Sequence, residues 1–437
     1  MMQPTRIGIV GLGTVGAGTV NVLRRNGDEI ARRAGREVHV CSAAVRDPGK
    51  LRLCEIAGIE LVTDPLEVAN DSRVDIVLEL MGGEEPARSV VLTAIANGKH
   101  VVTANKALIA VHGNEIFHAA QEYGVTVAFE AAVAGGISII KAIREGLAGN
   151  RIESMAGIIN GTSNYILSGM RDEGCGFSEK LADAQAMGYA EADPTFDIEG
   201  VDAAHKLTIL GAIAFGIPLQ FDNVYTEGIS ALALDDIMYA EELGFRIKHL
   251  GIAKRTHVGI ELRVHPCLLP RNHLLSHVEG VMNAIYVKGD AVGPTLHYGA
   301  GAGAEPTASA VVADVVDVVR TLTTDPGNRV PHLAFQPNAI SDLPILPAAE
   351  IESAYYLRMS AVNRPGVLAD VTRILGDLNI SIEAILQKGS GAQESVLPVI
   401  LLTQTTVEHR IDEALRQLAE LPTIENEISR IRVEALD

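Results

Sequence analysis

The chain reads as an α/β protein of three parts, and three observations predict it. A short apolar strand enters a glycine turn and a helix at the N-terminus, strands and helices then alternate, and a second alternation follows a proline-containing stretch. At 437 residues the chain is too long for one core, so two or three domains are expected.

"RIGIVGLGTVGAGTVNVLRR" gives a buried strand over 7–10, then Gly11-Leu12-Gly13-Thr14-Val15-Gly16, then a helix. A bare GxGxxG is weak, but a strand before it and a helix after it predict a dinucleotide site. The first glycine permits the turn, the second lets the backbone approach a pyrophosphate, and the third lets helix pack on strand. A second strand over 38–45 ends in Arg46-Asp47-Pro48-Gly49-Lys50. An acidic residue there would take the ribose 2′-hydroxyl of NAD, whereas arginine suits the 2′-phosphate of NADP. Arg46 comes first with Lys50 nearby, so NADP is favoured and NAD stays possible. A strand over 74–80, a helix over 86–97 and a strand over 100–103 continue the rhythm of a Rossmann-type parallel sheet, which binds ligands at its carboxyl ends. Lys106, in "VVTANKAL", sits just past one such end.

From 126 the texture changes to "TVAFEAAVAGGISIIKAI" and "MAGIINGTSNYIL", an α+β region of apolar strands broken by glycine pairs. Irregular backbone is expected over 130–137. Glu130 stands alone in an apolar strand and needs a partner, either a monovalent cation held with turn carbonyls or a neighbouring arginine. A helix starting near 199 places Glu199, Asp202, Lys206, Ile209 and Ile213 on one stripe, with Ala203, Leu207, Leu210 and Ala214 beside it. Such a helix is buried. An ordinary surface pair Asp202–Lys206 would not continue an apolar stripe, nor explain why Glu191, Asp193 and Asp197 crowd the approach.

Composition limits what this can be. With 36 Lys plus Arg against 55 Asp plus Glu, the net charge of −19 disfavours nucleic acid or anionic lipid as partner. Cys41, Cys54, Cys175 and Cys267 are scattered without CxxC pairs, which predicts neither a disulfide framework nor a zinc site. No apolar run reaches the ~18 residues of a membrane span, and the N-terminus has no signal-peptide pattern. A soluble cytoplasmic protein is expected.

A nicotinamide enzyme acting on a carbonyl moves hydride to carbon and must supply a proton to oxygen. Lys206 can be that donor: partial burial lowers a lysine pKa while Asp202 holds it protonated. The surplus carboxylates suit a substrate with an ammonium group, such as an amino acid bearing an alcohol or aldehyde.

"AQAMGYAEADPTFDIEGVDAAHK", from Ala184 to Lys206, resembles the signature of the homoserine dehydrogenase family, with glycine, Asp-Pro, a second Asp and a Gly-x-Asp-x-x-x-Lys ending. "GIVGLGTVG", "VTANK", "GIINGTSNYIL" and "GAGAEPTASAVVADV" extend the match over residues 1 to about 325. The resemblance implies reversible oxidation of L-homoserine to L-aspartate 4-semialdehyde with NAD or NADP, within threonine, methionine and isoleucine biosynthesis. It implies Lys206 as proton donor and acceptor, Lys106 as a second active-site lysine, and Glu191 and Asp202 as substrate ligands, with Asp197, Thr162 and Tyr189 in the same pocket. It implies cofactor contacts from the glycine turn, Arg46, Lys106, Gly188 and Gly303. It also implies a structural sodium ion at Glu130, Val133, Gly135 and Ile137, and a homo-oligomer, dimer or tetramer, built on the middle domain.

After the helix "VVADVVDVVRTL", residues 326–350 lack periodicity and read as a linker. Strand, helix, strand, strand, helix, strand then follow, a ferredoxin-like unit. "NRPGVLADV" resembles an ACT domain, a module that binds regulatory amino acids. The implied effector is L-threonine, contacted by Asn363, Gly366 and Leu368. The expected division is a dinucleotide-binding domain over 1–130 plus about 303–325, a catalytic and dimerisation domain over 131–302, a linker over 326–350 and an ACT domain over 351–437.

Two rivals are weaker. A semialdehyde dehydrogenase using a cysteine nucleophile needs a histidine partner, and Cys175 in "DEGCGFSE" has none nearby in sequence. A non-catalytic amino-acid sensor with a degenerate nucleotide fold would lose Lys206, Lys106 or the glycine turn, and all three are present. Fusion to an aspartate kinase is disfavoured, since no kinase-sized segment precedes Thr5.

Overall fold

The computed structural model describes residues 3–322, 325–388 and 395–436. Its first sheet is built by β1 (Thr5–Val10), α1 (Thr14–Arg25), α2 (Gly27–Ala34), β2 (Val38–Ala44), β3 (Glu60–Val62), α3 (Pro65–Asn70), β4 (Ile76–Glu79), α4 (Ala87–Ala96), β5 (His100–Thr103), α5 (Lys106–Glu122) and β6 (Val127–Ala128). The strand order is β3-β2-β1-β4-β5-β6, and every pairing is parallel. β4 and β5 are buried at every position, because helices cover both faces of such a sheet. The strands read from apolar runs therefore form, with ends that differ by at most two residues.

The middle of the chain starts irregularly, as its glycine pairs predict. Ala134 and Gly135 are consecutive residues with positive φ, 53° and 37°. Then come α6 (Ile139–Lys141), β7 (Ile152–Ile158), α7 (Gly161–Glu173), α8 (Phe177–Ala186), α9 (Thr195–Ile198), α10 (Val201–Phe215), β8 (Tyr225–Thr226), α11 (Leu234–Glu242), β9 (Phe245–Arg255), β10 (Ile260–Pro270), β11 (Met282–Gly289), β12 (Gly293–Ala300) and α12 (Ala304–Thr321). Five of these strands pair antiparallel in the order β12-β11-β7-β9-β10. α10 begins at Val201, two residues later than the wheel assumed, and Gly200 caps it at φ 83°. All of α10 is buried except Val201 and Lys206, which are half-buried. α12 returns to the first sheet, where its start lies against α1: a Cβ added to Gly18 would stand 2.5 Å from the Ala304 carbonyl oxygen.

The C-terminal unit comprises β13 (Glu352–Val362), α13 (Val367–Asp377), β14 (Ile382–Gln387), β15 (Val396–Thr403), β16 (Thr406–Val407), α14 (Glu408–Ala419) and β17 (Ile424–Val433). Its strands run β17-β13-β15-β14, all antiparallel, with both helices on one face. Two features tie this unit and the stretch before it to the rest of the chain. β17 pairs parallel with β10 (Cys267↔Arg432, Leu268↔Val433), so one eleven-stranded sheet crosses the boundary. Residues 326–350 form a strap rather than a free connector: Ile260 N donates to Pro344 O at 2.8 Å and Leu346 N to Ile260 O at 2.7 Å. Its prolines limit it to single 3-10 turns, and backbone pairing with β10 holds it down. Among the described residues no helix is long and apolar enough to cross a membrane.

Candidate active site

Strand order reverses between β1 and β4, which opens a crevice at their carboxyl ends. The three glycines of the turn divide their work there. A Cβ on Gly11, whose φ is +101°, would meet the Leu80 carbonyl oxygen at 2.8 Å, and one on Gly16 would meet the Gly11 oxygen at 2.0 Å. At Gly13, among the described residues, nothing lies within 4 Å of that position. Gly13 is the N-cap of α1 and brings no side-chain acceptor to the first-turn amides, including those of Thr14, Val15 and Gly16. Leu12 turns into the core beside them. Open space, uncommitted amides and a helix N-terminus fit a dinucleotide pyrophosphate. Arg46 is exposed just beyond β2. Asp47 is turned into its own loop: its Oδ1 accepts Gly49 N at 2.9 Å and its carbonyl accepts Arg52 Nη2 at 2.6 Å. Gly303, at φ 135°, caps α12, whose first residue, Ala304, lies against Gly18 of α1.

Glu79, at the end of β4, was not singled out in the sequence, where it looks like one more strand residue. It is fully buried, and burial raises its pKa. Its carboxyl group accepts Thr103 Oγ1 at 2.6 Å and Met81 N at 3.0 Å, tying together the loops after β4 and β5. Thr103 Oγ1 in turn accepts Asn105 N at 3.0 Å, and Asn105 Oδ1 caps α5 by accepting Leu108 N at 3.1 Å. Lys106 is thereby the first residue of a capped helix at the crevice mouth.

Two lysines converge on one carboxylate. Lys206 Nζ donates to Asp202 Oδ2 and to the Ile159 carbonyl, both at 2.7 Å. Lys106 Nζ stands 3.0 Å from Asp202 Oδ1 and 5.6 Å from the Phe196 ring centroid. Asp202 is buried, yet the two ammonium groups hold its pKa well below the carboxylate range. Burial lowers the Lys206 pKa, with Asp202 opposing, whereas Asp202 raises that of Lys106. Asn160 completes the group: its Nδ2 donates to Asp202 Oδ2 and to Asp197 Oδ1, both at 2.8 Å, while its Oδ1 caps α7 by accepting Ser163 N. An asparagine two residues ahead of a Thr-Ser pair could have been read as an N-cap, but not as a bridge between carboxylates.

The crowded acids of 188–202 thus have separate duties. Asp193 accepts the hydroxyl and amide of Thr195 and starts α9. Asp197 is half-buried, and burial beside Asp202 raises its pKa. Glu191 is exposed on the lip, and its charge reaches Lys106. Thr162 Oγ1 donates to the Tyr189 carbonyl at 2.8 Å, and the Tyr189 ring lies 5.0 Å from that of Tyr165. Gly188, at φ 76°, forms the exposed bend before them.

Glu130 lies buried behind the crevice. Its carboxyl group accepts two backbone amides: Oε1 accepts Ile140 N at 2.9 Å and Oε2 accepts Lys141 N at 2.8 Å. Burial and nearby Asp314 still push its pKa up to about 7. The carbonyls of Val133, Gly135 and Ile137 border the left-handed turn, and that of Ile137 already accepts Ile139 N at 2.8 Å. Far from this site, Asn363, Gly366 and Leu368 share the turn from β13 into α13. Asn363 N donates to Ser395 O at 2.8 Å, Gly366 caps the helix at φ 97°, and Leu368 packs against the core beneath.

Residues 11–130 match the model described as homoserine dehydrogenase, NAD binding domain, residues 139–316 that described as homoserine dehydrogenase, and residues 355–420 the ACT domain. The chain is 61% identical to a homoserine dehydrogenase of Pseudomonas aeruginosa and 54% identical to one of Neisseria gonorrhoeae, each alignment covering 100% of both chains. A solved homoserine dehydrogenase from Thiobacillus denitrificans superposes with a TM-score of 0.95 at 61% identity, over 100% of this chain and 99% of that one.

Proposed function

Given that the chain belongs to the homoserine dehydrogenase family, we propose that it interconverts L-homoserine and L-aspartate 4-semialdehyde with Lys206 exchanging the hydroxyl proton. The observation that carries this reading is the single buried carboxylate of Asp202 with a lysine on each oxygen.

Converting an alcohol into an aldehyde removes hydride from carbon and a proton from oxygen. A bound nicotinamide supplies the hydride acceptor. The proton falls to the protein, and Lys206 is suited to it: burial brings its neutral form within reach, while Asp202 and the Ile159 carbonyl fix its position. In oxidation the neutral amine takes the hydroxyl proton, and in reduction the ammonium returns it to the aldehyde oxygen. Lys106 keeps its charge in both directions, because Asp202 raises its pKa, and it offers a fixed cation beside the reacting oxygen. Glu191, Asp197 and Asp202 supply the negative charge that a substrate ammonium group requires, with Thr162 and Tyr189 shaping that side of the pocket.

Arg46 faces outward while Asp47 is engaged in its own loop, which favours NADP over NAD. Gly188 and Gly303 border the same cofactor. A structural sodium ion on the carbonyls of 130–137 belongs to this reading, supported by the left-handed turn there and by a buried carboxyl group whose ionisation is disfavoured. L-threonine at Asn363, Gly366 and Leu368 is the regulatory part, supported by the ACT match over 355–420. A homo-oligomer in the cytoplasm, carrying its four cysteines as thiols, completes it.

The test is an absorbance assay of homoserine oxidation with NAD and NADP supplied separately. Homoserine-dependent reduction, faster with NADP, is expected; no turnover with either cofactor overturns the reading.

A further inference from the structure

We propose that Arg432 and Glu227 are a positioning pair for the reaction, through which the C-terminal unit holds the substrate-binding carboxylates Asp197 and Asp202 in place. The inference rests on the proposed role of Asp197 and Asp202 in binding the substrate. Arg432, on β17, is 1% exposed, and its guanidinium makes contacts on both sides of the domain boundary. On its own side it donates to Glu408, through Nε at 2.9 Å and again through Nη2. Across the boundary Nη1 donates to Glu227 Oε2 at 2.8 Å and Nη2 to the Tyr225 hydroxyl at 3.0 Å.

Residues 225–229 pass this anchorage to the active site. Glu227 N donates to Val264 O at 2.8 Å, and the Glu227 carbonyl meets His249 Nε2 at 3.0 Å, so the segment is fixed to the sheet. Ile229 N donates to Ile198 O at 2.8 Å, one residue from Asp197. Gly228 is pressed against the same turn, where an added Cβ would stand 2.5 Å from Ile198 O. Gly200, the cap of the helix bearing Asp202 and Lys206, has Thr226 Cγ2 at 3.1 Å and His249 Cε1 at 3.2 Å from its own Cβ position. Asp197 and the first turn of α10 therefore rest on a segment whose outer end is an ion pair to another domain. Arg432 is buried and Glu227 half-buried, and the same Glu227 Oε2 also accepts the Tyr225 hydroxyl at 2.8 Å, so arginine and tyrosine together fix where this carboxylate sits. Apolar packing runs the same way: Ile198 and Ala190 share a core with Tyr356, Ile400 and Ile431 of the C-terminal sheet.

The test uses the full chain. Glu227→Gln keeps the shape and removes the charge; Glu408→Gln weakens the same arginine within its own domain and leaves 225–229 untouched. Glu227→Gln is expected to raise KM for L-homoserine about 3- to 10-fold, the size of a coupling between contacting groups, with KM for NADP within about twofold. Glu408→Gln is expected to lower Tm with KM for homoserine within about twofold. Hydrogen exchange reads the same coupling without turnover: amides of 195–204 should exchange about 3- to 10-fold faster in Glu227→Gln and at the wild-type rate in Glu408→Gln. A wild-type enzyme inert towards homoserine would defeat the functional reading and leave the exchange result to judge the pair. Unchanged KM and unchanged exchange in Glu227→Gln, or equal effects in both variants, overturn the proposal.

Discussion

Lys106 and Lys206 grip opposite oxygens of one carboxylate, at 3.0 Å and 2.7 Å, yet their proton affinities move in opposite directions. Burial dominates at Lys206 and lowers its pKa; the Asp202 charge dominates at Lys106 and raises it. Two like groups pushed apart in this way suit the proposed proton carrier and fixed charge.

Replacing the carrier should cost turnover more than binding. Lys206→Ala is expected to lose about 10²–10⁴-fold in kcat, or roughly 3–5 kcal/mol of barrier, with a modest change in KM. Steady-state kinetics on the folded variant checks this, and near-normal kcat removes Lys206 from the mechanism.

The pH profile carries a sign. Oxidation needs neutral Lys206, so kcat/KM rises as pH passes its pKa. The Lys106 charge helps to lower that pKa and the Asp202 charge raises it. Lys106→Met should therefore move the rising limb to higher pH, and Asp202→Asn should move it to lower pH. Shifts in the same direction would show that the limb belongs to another group.

Glu130 links stability to pH. Its pKa rises from 4.5 to about 7 on folding, so between those values the folded chain binds more protons than the unfolded one. Its contribution is greatest below about pH 4.5 and is lost as pH climbs through 7, up to about 3 kcal/mol. Denaturant titrations from pH 5 to 8 should show this slope, and Glu130→Gln should flatten it. If sodium sits on the adjoining carbonyls, Na+ in place of tetramethylammonium will raise the wild-type Tm at pH 8 more than at pH 5.

In the proposed reading, Arg46 decides between cofactors. A charge-assisted contact to a 2′-phosphate is worth about 1.5–3 kcal/mol, so Arg46→Ala should raise KM for NADP by roughly 10- to 100-fold and leave KM for NAD nearly unchanged. Parallel changes in both constants would place the residue outside the phosphate site.

Threonine control has to be tested by point substitution. Removing residues 351–437 would strip β17 from β10 and leave Glu227 without Arg432, so the truncated chain is expected to lose activity without any effector. Asn363→Ala should shift threonine inhibition to at least about tenfold higher concentration, measured against that variant's own uninhibited rate, as for a lost polar contact in a site. A curve that matches wild type rules out this turn as the effector site.

What was legible in the sequence is local. Alternating apolar runs set strands and helices to within a few residues, GxGxxG placed the glycine turn between β1 and α1, and the spacing of Asp202 and Lys206 put both on one helical face. Each follows from backbone geometry over one or two turns of chain, which spacing encodes directly. The Lys106 contact with the other Asp202 oxygen, the Asn160 bridge, the buried Glu79 and the continuous sheet through β10 and β17 were decided only by tertiary structure. These join elements separated by long stretches of chain, and the sequence of neither partner records which face of a distant element it will meet. A buried charge and its counter-charge must find each other in space, and only the packed fold shows where they do.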